Sequence, residues 1–77
     1  MTIEAEEIQV FAMHGDRIAE RGEIVEYYDI LVRADGENGE IIEIEEIENL
    51  DEAAMNLKVK EIEEKYGLSA EFVGGDA

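Results

Sequence analysis

Seventy-seven residues can close one hydrophobic core but not two, and at this size only about 60 to 65% of the unfolded chain's surface is buried on folding. The absence of cysteine and the presence of a single histidine exclude disulfides, thiolate metal sites and the usual transition-metal constellations. Six basic residues against twenty-two acidic ones leave a net charge of −16, which repels nucleic acid and anionic membrane surfaces and attracts basic proteins and cations.

An apolar fraction of 45%, with ten isoleucines, is too high for a disordered acidic tail, so the chain is expected to fold as one domain over residues 1–77. No apolar run approaches the roughly 18 residues that span a bilayer. Met1-Thr2-Ile3-Glu4 also lacks the basic start of a signal peptide, and the expectation is a soluble, cytoplasmic domain with no membrane partner.

From Ile3 to Met13 the pattern is that of a strand, with Ile8, Val10 and Ala12 on one face and Phe11 and Met13 on the other. The alternation slips at Glu6-Glu7, which marks a bulge or a strand that begins at Glu7. His14-Gly15-Asp16 reads as a turn. Arg17 to Gly22 fits either one helical turn or the outward leg of a hairpin carrying Ile18 inward. Glu23 to Arg33 is rich in β-branched and aromatic residues at both parities, the composition of a central strand covered on both faces.

Asp35-Gly36-Glu37-Asn38-Gly39 joins two strands as a hairpin turn. Glu40 to Glu48 is the return strand, expected to place Ile42 and Ile44 on one face and Glu43 and Glu45 on the other. A helix follows, starting at Asn49 or Asp51. Asn49 with Glu52 is a capping-box variant, and Lys58, Lys60 and Lys65 complement the helix dipole. Gly67 ends it, with Leu68 folding back onto Ile62. Met55, Val59, Ile62 and Tyr66 share one stripe, and Leu57 lies opposite. Leu68 to Val73 is a last short strand.

The fold class is therefore α+β: a three- or four-stranded antiparallel sheet, in the order β-β-β-α-β, with one C-terminal helix packed on one face. The expected core is Ile8, Val10, Ile24, Tyr28, Ile30, Val32, Ile42, Ile44, Met55, Val59, Ile62, Tyr66 and Phe72.

Charge is concentrated between residues 35 and 48, which hold seven acids and no base. Strand residues two apart lie about 6.7 Å from each other on one face, so Glu43 and Glu45 would present carboxylates at a regular spacing, as phosphates are presented by a nucleic acid. The partner-binding residues expected on this basis are Asp35, Glu37, Glu40, Glu43, Glu45, Glu46 and Glu48. They point to a basic protein partner, such as a nucleic-acid-binding protein whose groove they would occupy in place of nucleic acid. The resemblance to inhibitors that phages and mobile elements use against restriction or CRISPR systems is one of size and charge. The competing expectation is a solvating face on a domain adapted to heat or salt. Seventeen glutamates against five aspartates lean toward the hot-adapted pattern.

Asp35 to Glu40 also supplies oxygen atoms suited to calcium, but Gly39 stands where a ligand would be needed and the flanks are strands, so a turn accounts for the segment; no metal or cofactor is expected, and a calcium-binding domain is kept as a third alternative. No nucleophile has a recognisable setting: the Ser/Thr hydroxyls are Thr2 and Ser69, His14 is a turn residue, and no catalytic activity is expected. Phe11 and Tyr27 would remain on an uncovered sheet face ringed by glutamates, a surface suited to a second copy or a host protein. Gly74-Gly75 resembles the Gly-Gly end of ubiquitin-like modifiers. That family has two strands before its helix where three are read here, and Asp76 and Ala77 follow the glycines, so residues 74–77 are expected to fray.

Overall fold

The computed structural model describes residues 4–75. Ile3, Thr2, Asp76 and Ala77, to which expectations were attached above, lie outside those residues. Strands β1 (Glu7–His14), β2 (Arg17–Ile18), β3 (Tyr27–Asp35) and β4 (Ile41–Leu50) precede helix α1 (Glu52–Tyr66), and β5 (Ala70–Val73) follows it. The class is α+β, as the residue pattern indicates.

The order β2-β1-β3-β4 is antiparallel throughout. β5 joins the β2 side of the sheet, pairing in parallel with β1 from Ile8↔Ala70 to Phe11↔Val73. The parallel sense follows from the helix: a chain that leaves β4, runs back along α1 and re-enters the sheet has a crossover, not a hairpin.

The core forms where α1 lies over one face of the sheet. Ile8 and Val10 from β1, Ile30 and Val32 from β3, and Met55, Val59 and Ile62 from α1 make one buried cluster. Alternation along β1 and β3 delivers the sheet residues, and the three-and-four spacing on α1 delivers the others. Tyr28 and Tyr66 pack against this cluster half-buried, as do Ile47, Leu50, Leu68 and Ala70. Asp51 caps the helix by accepting a hydrogen bond from the Ala54 amide at 2.7 Å. Gly67 ends it in the left-handed conformation, its amide donating to the Glu63 carbonyl.

Several expectations are corrected. Glu23 to Glu26 is loop, not strand, because its backbone is bonded away from a strand partner: the Glu23 amide donates to the Glu20 carbonyl at 3.0 Å, and His14 Nδ1 lies 2.8 Å from the Ile24 carbonyl oxygen. Ile24 is accordingly 77% exposed and outside the core. Arg17 and Ile18 form the hairpin leg, but the residue carried inward is Ala19, buried to 1%, while Ile18 is exposed. Although β3 is central, among the described residues only the face beneath α1 is covered. Phe72 is on the helix side of β5, yet the helix packs on β3 and β4 and leaves it 47% exposed.

β4 departs most. Its register against β3 shifts twice, between Tyr28 and Ile30 and again between Val32 and Arg33. Each extra residue inverts the facing of everything beyond it. The helix-side residues of β4 are therefore Ile42, Glu45, Ile47 and Leu50, opposite Ala34, Val32, Ile30 and Tyr28. Ile44 is the extra residue at one shift and is exposed, not core. Asn49 is not a helix cap. It sits at the other shift with φ of 59°, its amide donating to Asp29 Oδ1 at 3.0 Å.

Gly74 and Gly75 fold back onto the sheet. The Gly75 amide donates to the Ala19 carbonyl at 2.8 Å, and Gly74, at φ of 90°, lies against Ile18, Ala12 and Ala19. The glycines here form a turn folded onto the β2 edge, which is unlike an extended modifier tail.

Candidate functional site: an acidic sheet face

The face of the sheet turned away from α1 is built by strand alternation. Across it run Glu7, Arg33 and Glu43; then Glu71, Gln9, Leu31 and Glu46; then Val73, Phe11 and Asp29; and lastly Met13 and Tyr27. Phe11, Met13, Leu31, Tyr27 and Val73 are half-buried by their neighbours alone. Glu43, Glu46 and Glu48 are exposed along β4.

Four of the six bases are held by other acids, Arg33 by Glu7 on this same face. Arg17 makes a bidentate pair with Glu23, at 2.6 and 2.5 Å. Arg33 pairs with Glu7, Lys58 with Glu61 at 3.6 Å, and Lys65 with Glu45 at 3.4 Å. Among the described residues, no lysine or arginine forms an ion pair with Asp35, Glu37, Glu40, Glu43, Glu46 or Glu48. The electrostatic result shows at Glu46. Its carboxyl is raised above the ordinary value, first by a hydrogen bond with Glu48 and then by the charges of Glu48, Glu43 and Asp29. Tyr27 is likewise raised, by burial and by nearby Asp29, Asp16, Glu26 and Glu48.

Of the seven acids read from the sequence, Glu45 is the one that the fold removes. The shift between Val32 and Arg33 turns it to the helix side, so it does not form a two-residue repeat with Glu43. There it accepts from the Tyr66 hydroxyl at 2.7 Å and from Lys65, and these bonds hold its carboxyl below the usual range. Asp29 was missed because it belongs to β3, where only pairing reveals its nearness to Glu46.

Asp35, Glu37 and Glu40 lie at the hairpin end, where the Gly36 amide donates to the Glu40 carbonyl at 2.7 Å. Glu40 is in this turn and not in the strand. Glu6 accepts from the Asp35 amide at 2.6 Å, and with Glu4 these acids surround an open cleft of about 520 Å³ floored by Ala5, Ala34 and Ile42. No group of three or more His, Asp or Glu among the described residues is arranged to hold a metal ion. A second hollow, of about 260 Å³, lies beside Phe72 between Ala12, Val25 and Tyr28.

No described helix is long and apolar enough to cross a membrane. What fold and surface define is a small acidic α+β domain with one sheet face uncovered. The chain matches no family model, and neither the curated proteins nor the solved structures include one significantly similar to it.

Proposed function

We propose that this protein is a non-catalytic acidic binding protein that engages a basic protein partner through Asp35, Glu37, Glu40, Glu43, Glu46 and Glu48. The observation that carries the reading is the segregation of charge. Every one of these carboxylates lacks a lysine or arginine partner among the described residues, while four of the six bases are committed to other acids. Arg33, the one described cation in register on this face, is taken by Glu7, so the remaining acids keep a strong field for an incoming cation. The basic partner best matched to it is a nucleic-acid-binding protein, with the acids standing in for phosphates in the manner of phage and mobile-element inhibitors of restriction or CRISPR systems.

The test is a pull-down from host lysate eluted with rising salt, followed by competition between the protein and duplex DNA for each captured protein. Wild type should retain a basic protein and displace DNA from it, and the Glu43→Lys, Glu46→Lys double variant should elute at much lower salt. Equal retention of wild type and variant, or retention with no competition against DNA, would reject the mimic. A domain that is acidic only for solvation would retain nothing specific.

A further inference from the structure

We infer that the uncovered sheet face seats a cationic amphipathic helix supplied by the partner, an inference that rests on the acidic-binding reading above and specifies the partner's chemistry. A sheet normally buries both faces or leaves one polar. Here α1 covers one face, and the other has an apolar tract, Phe11, Met13, Leu31 and Val73, on β1, β3 and β5.

The face is also asymmetric. Asp29, Glu43, Glu46 and Glu48, which have no lysine or arginine partner among the described residues, lie toward the β4 side; Glu7, paired with Arg33, and Glu71 lie at the Gln9 end; and the apolar tract runs beside them on β1, β3 and β5. A purely cationic groove would satisfy the first half and leave the second wet. A helix with one apolar stripe flanked on one side by lysine or arginine satisfies both, and would complete a layer matching α1 on the opposite side. The mutual crowding of Glu46 and Glu48 is the kind of repulsion that an incoming cation relieves.

A second copy of the chain fits poorly. A two-fold axis along the strands would set each row of acids over the other copy's Phe11 and Met13, and an axis across the strands would oppose the two rows. Both arrangements bring together chains of charge −16.

The experiment uses two synthetic probes on the whole isotope-labelled protein at physiological salt: a leucine-lysine peptide with helical periodicity, and an oligolysine of equal charge. The helical peptide should bind roughly tenfold more tightly or better, equivalent to about 1.4 kcal/mol. Its amide shifts should centre on Phe11, Leu31 and Val73, and Leu31→Ser should remove most of the preference while the thermal transition is retained. Should Leu31→Ser unfold, Glu46→Gln serves, and it should weaken both probes. Equal binding of the two probes, with shifts confined to Glu43, Glu46 and Glu48, would overturn the helix inference and leave the acidic-binding reading standing. Binding of neither probe would overturn both. Shifts centred on the hollow beside Phe72, or a dimer in sedimentation that buries Phe11, would also overturn the inference.

Discussion

The hydroxyl of Tyr66, in the last turn of the helix, donates to Glu45 across 2.7 Å, tying α1 to a carboxylate that alternation alone would have put on the far side of the sheet. The contact exists because β4 carries an extra residue at Ile44, and it turns one member of an acidic series into a structural acceptor. Tyr66→Phe should therefore lower stability by about 1 kcal/mol, the usual worth of one such bond, as measured by urea unfolding. Affinity for a basic partner should not change, in contrast to Glu46→Lys.

Gly74→Ala should be more damaging. At φ of 90° an L-residue is strained, and its Cβ would lie 2.5 Å from Ile18 Cγ2 and 3.1 Å from the carbonyl oxygens of Ala12 and Ala19. Backbone strain and the steric overlap together should cost about 2 to 3 kcal/mol, read from the denaturation midpoint. A change below about 0.5 kcal/mol would show that this turn does not pack on the β2 edge.

Asn49 tests the other irregularity. Its φ of 59° suits asparagine and glycine and disfavours a β-branched residue. Asn49→Gly should be near neutral, because the bond to Asp29 uses the backbone amide, whereas Asn49→Val should cost about 1 to 2 kcal/mol. Thermal melts of the two variants give the comparison directly.

Acid should act on stability in two opposite senses. Arg17, and then the Glu20 amide, hold Glu23 at about 2 against an ordinary 4.5, so its contribution is complete above 4.5 and is lost as pH falls toward 2. Glu46 is raised, so its charged form is penalised in the folded state, and stability gains as pH falls through that raised value. Unfolding midpoints should thus rise slightly on mild acidification and fall below about pH 4.5. Glu23→Gln should flatten the acid limb and Glu46→Gln should remove the rise.

Much of the fold is written in local pattern. The alternation of Ile8, Val10 and Ala12, the stripe of Met55, Val59 and Ile62, and the signals Asp51 and Gly67 each depend on residues a few positions apart. What the pattern hides is pairing over distance. Nothing near Glu45 reveals that β4 must take an extra residue to match β3, and nothing near Ile24 reveals that His14 binds its carbonyl and holds the backbone in a loop. The acidic surface was legible as a segment of chain. Its facing, and the inclusion of Asp29, are properties of the assembled sheet.

β4 is a free margin of the sheet on its outer side, ten residues long and holding four isoleucines. A straight strand of that composition would be a template for stacking into fibres, each molecule offering the next an even row of unmet amides and carbonyls. The two register shifts break that row into short, differently angled pieces. The irregularity that redirects Glu45 inward thus also denies neighbouring molecules a flat ribbon to copy, which protects the chain in the acid conditions where its mutual repulsion fades.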